Sequence, residues 1–471
     1  MRRSVALFIA ALAAAILVPP AEARRLHGGF TTSAPAGAVG LVPGVQIDPI
    51  MAAGDVVGDF QQTGVPDGMG WWRSSKRTVE VLMDHELADK NQYTNPVNEA
   101  GDQFGARVTQ MTMNNKGQVL SGKTIIKGTE GFVWFCSGNL AVLNGKPWFF
   151  TGEEDVFSTH GGSSVAVDVR HGTYSELPWF GKFGHEQEIP VKGMRKAAFV
   201  LSEDGPKSKS QLYQYVSRHW KDALEGSGQL GVFVPDGTAT DGNWSSNDIS
   251  RGQSISGHFE PLDQATDNAN AASLEAAAQA KGAFDFVRVE DVAVARNQKG
   301  VVYFSDTGST GHETVRGRIY KLAMDRRDPT KATLTVLLDG DNGDDIVNPD
   351  NLDTSKRALV IQEDRNLEHR FSATMGAATG YSRVLVFDLE TGSLRAVARV
   401  DTPASIAATR GEGDWETSGM TNARHWFGRG WWLMQVQQHH TTVNQPANPD
   451  LVPNTTTGEG GQTVKIYIPG T

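Results

Sequence analysis

Cysteine is almost missing from this chain: Cys136 is the only one in 471 residues. No disulfide can form within the chain, so stability has to come from packing or from bound ions. Long apolar runs are also missing. The stretch Val5–Val18 is too short to cross a bilayer, which takes about 20 residues. It follows Met1-Arg2-Arg3 and ends in Pro19-Pro20-Ala21-Glu22-Ala23, the basic start, apolar core and small-x-small finish of a cleavable leader. Residues 1–23 are therefore expected to be a signal peptide, and the remainder a periplasmic or secreted protein with no membrane span. Arg2-Arg3 matches only part of a twin-arginine pattern. Basic blocks are scarce as well. The net charge is -10, which disfavours a nucleic-acid partner and suits the binding of cations. There is no P-loop, dinucleotide fingerprint or nucleophile elbow, and no strict repeat period.

What the chain does contain is short apolar runs bounded by Gly, Asn or Asp. Thr78–Met83, Arg107–Met113, Ser164–Val169, Lys196–Leu201, Val301–Phe304, Arg357–Ile361 and Val464–Ile468 have the length and β-branched content of strands. Turns such as Asn144-Gly145 and Gln298-Lys299-Gly300 join them, and 52 glycines fit many tight turns. Helix signals are few: Gln211–Leu224 reads as a strand followed by a short helix, and Ala271–Lys281 as a helix. The stretch 241–281 is poor in apolar residues and reads as an insertion, and 441–461 as a second excursion before a closing strand. Residues 24–75 are read as an N-terminal extension and 76–471 as one domain. Many short strands in one long chain point to an all-β fold, a β-propeller with loop and helical insertions, with a sandwich or a pair of β domains as competitor.

The carboxylates cluster where these strands begin or end. The groups include Asp84-His85-Glu86, Glu153-Glu154-Asp155, His185-Glu186, Glu203-Asp204, Glu290-Asp291, Asn348-Pro349-Asp350-Asn351, Glu363-Asp364 and Trp415-Glu416. Radial blades would bring them together at the axis. Carboxylates held together repel and raise one another's pKa unless cations sit between them. Calcium takes six to eight oxygen ligands, and such motifs supply them. Asp341-Asn342-Gly343-Asp344-Asp345 lacks EF-hand spacing and reads as a turn. His439-His440 reads as the end of a strand, and Cys136 as a packed core residue.

The order of these motifs resembles the PhoX-type alkaline phosphatases. Val81-Leu82-Met83-Asp84-His85-Glu86-Leu87, Phe135-Cys136-Ser137-Gly138 with Thr151-Gly152-Glu153-Glu154, and Gly184-His185-Glu186 come first. Arg288-Val289-Glu290-Asp291, Asn348-Pro349-Asp350-Asn351-Leu352, Gln362-Glu363-Asp364, Glu416-Thr417-Ser418-Gly419 and Val436-Gln437-Gln438-His439 follow. The resemblance runs from about residue 78 to 440. It implies a six-bladed β-propeller, a central cluster of calcium and iron, and exported hydrolysis of phosphate monoesters of broad range. Small-molecule phosphate esters are the expected partners, and a monomer is the expected state. Carried over, the metal ligands are Glu86, Glu154, Glu290, Asp350 and Asp364, with Glu153, Glu186, Asp204 and Glu416 as further candidates. Arg107, Arg288 and Arg365 are candidates for binding substrate by position. One departure concerns iron: the family's iron-binding cysteine directly precedes the double Glu, where this chain has Gly152. A calcium-stabilised propeller without catalysis, and a propeller lactonase or phosphodiesterase, stand as alternatives.

Overall fold

The computed structural model describes residues 28–87, 105–205, 209–239, 242–365, 380–441 and 458–471. The expected leader and most of the second excursion lie outside the described residues. Among the described residues no helix is long and apolar enough to cross a membrane.

The fold is all-β and propeller-like. It is built from antiparallel meanders in which each strand pairs with the next. A meander needs only tight turns. Asn144-Gly145 makes one: both residues have positive φ, 48° and 78°, which sends Lys146 back against Leu143. One sheet holds Pro66–Trp72, Thr78–His85, Arg107–Asn114 and Val119–Ile126. A second holds Phe135–Leu143, Lys146–Glu153, Ser164–Asp168 and Thr173–Glu176. Pro349–Thr354, Ala358–Glu363, Arg383–Asp388, Leu394–Val400 and Ala38–Gly40 form another. Glu416–Asn422, Trp431–Thr441, Gly458–Tyr467 and Gln46–Ala52 form a further one.

Hydrogen bonding does not divide the chain into six equal blades. A single nine-stranded sheet runs from His185–Pro190 through Ala197–Glu203, Leu212–Ser217, Gly228–Pro235 and Ser254–Pro261, then back through Lys331–Asp339, Arg318–Met324 and Val301–Asp306 to Val289–Val294. Ser254–Pro261 is the bridge, pairing with Gly228–Pro235 on one side and Lys331–Asp339 on the other. It falls inside the stretch 241–281 that reads as an insertion. Its side chains are mostly half-buried or exposed, so it is held by backbone pairing and carries little apolar signal. The helix expected nearby is present as Ala271–Ala280, and Gln211–Leu224 does contain a strand and the short helix Trp220–Leu224.

A second correction concerns the expected extension 24–75. Its strands within residues 38–72 are woven into the sheets rather than appended to them. Gln46–Ala52 pairs with Gly458–Tyr467, Ala38–Gly40 pairs with Leu394–Val400, and Pro66–Trp72 is the innermost strand of its sheet. The start of the chain thus closes the sheet that its end begins.

The innermost strands Pro66–Trp72, Phe135–Leu143, His185–Pro190, Val289–Val294, Pro349–Thr354 and Glu416–Asn422 stand side by side in that order around an axis, and the last returns to the first. Apolar clusters fill the gaps between neighbouring sheets. Met51, Met69, Val79 and Leu433 pack one such gap, and Leu82, Val108, Phe135 and Phe149 the next. The inner strands approach closely. A Cβ on Gly68 would run into the backbone of Gly138, so only glycine lets these two strands come together there.

Candidate metal centre at the axis

One backbone contact recurs around the axis and explains why carboxylates gather there. The residue just after the second strand of a sheet donates its N–H to the carbonyl just before the first. Glu86 N reaches Val65 O (3.0 Å), Glu154 N reaches Trp134 O (2.9 Å), Asp204 N reaches Gly184 O (3.0 Å), Thr307 N reaches Arg288 O (2.9 Å) and Asp364 N reaches Asn348 O (3.0 Å). Each contact sets one side chain from the end of a second strand beside one from the start of an inner strand. The pairs are Glu86 with Asp67, Glu154 with Cys136, Asp204 with Glu186, and Asp364 with Asp350. In the fourth unit Thr307 and Glu290 hold the corresponding positions in the chain. Val65, Trp134 and Asn348 adopt positive φ (42°, 54° and 48°) to make the corner.

The ligand atoms converge as a chain of overlapping groups. Asp67, Glu86 and Cys136 offer atoms within 4.8 Å of one another; so do Cys136, Glu154 and Glu186, and so do Glu186, Asp204 and Glu290. Burial raises the pKa of each of these carboxyl groups for which a shift is seen, and their mutual repulsion adds to it. Glu86 is pushed up to about 8. Asp67 is raised, and Glu154, Glu186, Glu290, Asp350 and Glu416 are driven well above the ordinary range. Asp364 adds to the repulsion on Asp350 and Glu416. Burial and the surrounding carboxylates raise the Cys136 thiol as well.

Among the described residues, Arg288 brings a guanidinium into this set. Arg288 Nη2 lies 2.9 Å from both Asp204 Oδ2 and Glu290 Oε1, and Nε lies 3.1 Å from Asp204. Burial opposes its charge, but the two carboxylates hold it well above its ordinary pKa. One guanidinium cannot balance so many carboxylates. The residues therefore fit bound cations, with carboxylate oxygens suited to hard ions and one thiol in reach.

Further along the inner strands a polar belt lies across the axis. Ser418 Oγ donates to Asp67, Ser137 N donates to Asp67 Oδ2 (3.2 Å), and Asn351 Nδ2 donates to Ser137 Oγ (3.0 Å). Gln187 Nε2 donates to Asp291 Oδ1 (2.7 Å). A cavity of about 250 Å³, lined by Met69, Leu140, Ile189, Lys192 and Arg296 among others, continues the axis beyond this belt.

The structure brings Glu86, Glu154, Glu186, Asp204, Glu290, Asp350, Asp364, Glu416 and Arg288 of the expected residues to this centre. Three others are engaged elsewhere. Glu153 is fully buried, but its carboxylate accepts from Val133 N (2.9 Å) and Gly162 N (3.1 Å), clamping the loop between them. Arg365 is committed to Glu363 at 2.9 Å, beside Arg383. Arg107 is fully buried opposite His85, whose ring bonds Gly64 O and Thr109 Oγ1 (both 2.8 Å) and is driven down to about 3 by burial.

Sequence reasoning missed two residues. Asp67 sits in Pro66-Asp67-Gly68, the same pattern at the same inner-strand position as Pro349-Asp350-Asn351. That likeness is the signal that could have found it. Cys136 does not pack as a plain core residue: its Sγ lies 3.4 Å from Glu154 Oε2 among the carboxylates. It also pairs directly across from Gly152. A Cβ at Gly152 would overlap the Cβ of His185 and a carboxylate oxygen of Glu188, so no side chain fits where the resemblance would place a cysteine.

No family model matches this chain, and no curated protein does. Among solved structures, the chain is similar to Pseudomonas fluorescens PhoX in complex with vanadate, a transition state analogue. The TM-score is 0.63 at 16% identity, over 90% of this chain and 95% of that one. A protein of unknown function from Dyadobacter fermentans matches at TM-score 0.45 and 8% identity, over 90% and 100%. A gluconolactonase from Xanthomonas campestris matches at 0.40 and 12%, over 93% and 99%. At these identities the likeness to PhoX is one of fold, and the architecture this chain shares is that of a PhoX-like propeller.

Proposed function

We propose that this chain is an exported, metal-dependent phosphomonoesterase whose reaction takes place at the carboxylate end of the axis. In this reading the nine-stranded sheet counts as two blades joined by Ser254–Pro261, which makes a six-bladed propeller. The observation that carries the proposal is Arg288: a guanidinium set among cation-binding carboxylates is an anion anchor inside a cation site. Nε and Nη2 are used by Asp204 and Glu290, and Nη1 is left to take an oxygen of an incoming phosphate. The likeness in fold to PhoX, solved with a transition state analogue, supports the same reading.

Asp67, Glu86, Glu154, Glu186, Asp204, Glu290, Asp350, Asp364 and Glu416 would hold the ions. Calcium is the proposed resident, and Cys136 adds a thiolate suited to a softer ion such as iron. Bound cations would supply charge neutralisation at the phosphate oxygens and lower the pKa of a water. The chain's residues do the rest. Carboxylates set the spacing of the ions, Arg288 orients the phosphate, and the polar belt around Asp67, Asn351 and Ser137 closes the site from beneath.

Metal-replete mature protein is expected to hydrolyse p-nitrophenyl phosphate and to lose that activity in chelator. Arg288→Met should lower kcat/KM about 100-fold or more, with bound metal retained. Replete protein with no turnover on several monoesters would sink the proposal, whereas a chelator-sensitive melting temperature alone would favour a non-catalytic propeller. Asp67→Asn is expected to reduce the bound metal by about one ion per chain on elemental analysis; unchanged metal content would remove Asp67 from the centre.

A further inference from the structure

At the rim of the centre, the strand Trp431–Thr441 ends in a bulge opposite Gly458–Tyr467, with the register shifting between Gln438 and Thr441. Bulges of this kind re-aim side chains beside functional sites. His440 takes a positive φ of 54° and turns to Asp414, with Nδ1 3.0 Å from Oδ1. His439 turns to Glu459: Nδ1 lies 2.6 Å from Oε2. The Glu459 side chain is 1% exposed and that of His439 is 14% exposed. Glu459 Oε1 has no partner, so this carboxylate's bonding is spent on His439. His439 Nε2 has no partner among the described residues.

Its place relative to the centre follows from its neighbours. Alternate residues share a face, and Gln437, two positions earlier and about 6.7 Å along the strand, donates Nε2 to Glu86 Oε2 at 3.0 Å. The bulge keeps His439 close enough to Glu86 for the two side chains to interact. Glu86 and His439 attract each other.

We propose that His439 is the proton donor to the leaving group, with Glu459 holding its ring. This rests on the phosphomonoesterase reading. In the step, the oxygen of an attacking water bonds to phosphorus and the bond from phosphorus to the ester oxygen breaks. The electron pair stays on that oxygen, which takes the proton from Nε2 and leaves as an alcohol. The proton released by the attacking water restores the imidazolium. The charged groups facing the ring are Glu459 on the neighbouring strand, Glu86 at the end of Thr78–His85 and Asp414 from the turn Glu412–Asp414, with His440 next in the chain. The Glu459 carboxylate, 2.6 Å from Nδ1, favours the imidazolium, whose Nε2–H is the proton to be given.

The test compares two esters in metal-replete enzyme. A nitrophenolate leaves without a proton, whereas an alkoxide needs one. His439→Gln should lower kcat/KM on β-glycerophosphate about 100-fold and on p-nitrophenyl phosphate no more than about 3-fold. Glu459→Gln, read against β-glycerophosphate, should move the alkaline limb of the pH profile to lower pH, since it removes the carboxylate held against Nδ1. Equal losses on both esters in His439→Gln, or an unmoved alkaline limb in Glu459→Gln, would overturn the assignment. If His439→Gln does not fold, the Glu459→Gln profile decides alone. A wild-type enzyme inactive on both esters would instead overturn the phosphatase reading, and this assignment with it.

Discussion

Stripped of cations, the protein should lose stability as the pH rises from about 5 to about 9. The sign follows from which state holds more protons. Glu86 has an ordinary value of 4.5 and is raised to about 8 in the folded chain, chiefly by burial. Between those two values the folded state keeps a proton that the unfolded state has released. Its contribution is therefore fully present below about 4.5 and is lost as the pH climbs through about 8. Asp67, Glu154, Glu186, Glu290, Asp350 and Glu416 are shifted in the same direction for the same reason. Bound cations would reverse the sign. Cations favour the ionised carboxylates, so folded-state values fall below the unfolded ones and stability is held as the pH rises.

The measurement is a melting temperature in chelator and in millimolar calcium, taken at several pH values. The chelated protein should melt at least about 5 °C lower at pH 8.5 than at pH 5.5, and the gap between chelated and calcium-loaded protein should widen over the same range. A chelated protein whose melting temperature is flat or rises with pH would show that these carboxylates are not held together without compensation. The centre would then be a solvated surface cluster.

That the centre was partly legible in the sequence has a physical basis. Glu86, Glu154, Asp204 and Asp364 follow apolar second strands, and the change from apolar alternation to acid shows in one sequence. Asp67 begins an inner strand, Pro66–Trp72, that is rich in glycine and has no apolar run to announce it. The same holds at fold level. The recurring unit is defined by a backbone bond, from Glu86 N to Val65 O and its four counterparts, and a backbone bond asks nothing of the side chains. It can repeat around the axis while the sequence shows no period. Ser254–Pro261 escaped notice because it is paired on both sides through its backbone and buries few side chains. Ala38–Gly40 and Gln46–Ala52 are outer strands whose partners lie at the other end of the chain, a pairing that no local pattern encodes.

Placing a cysteine at position 152 should damage the protein rather than complete its metal centre. The resemblance makes Gly152→Cys look like a repair, because it writes the missing thiol in front of Glu153-Glu154. The geometry points the other way. The Cβ would overlap the Cβ of His185 and Glu188 Oε1, and neither is a loose side-chain end. His185 Cβ is fixed to an inner strand. Glu188 is fully buried, accepts from Ser164 Oγ at 2.6 Å and pairs with His185 Nδ1 at 2.9 Å. Inserting volume here means moving an inner strand, at about 3 kcal/mol or more, so Gly152→Cys should express poorly or melt far below wild type. Gly152→Ala carries the same Cβ without a thiol and should suffer nearly as much. Cys136→Ala should be milder, about 1–2 kcal/mol, because it removes a small buried group without forcing anything aside. The double substitution Cys136→Gly with Gly152→Cys separates two explanations. If crowding of two thiols were the obstacle, vacating Cys136 would rescue the protein. If His185 and Glu188 are the obstacle, the double variant should stay as unstable as Gly152→Cys. A stable double variant that binds metal as wild type does would show that the thiol can sit on either strand of this pair, and that Gly152 is not required by its neighbours.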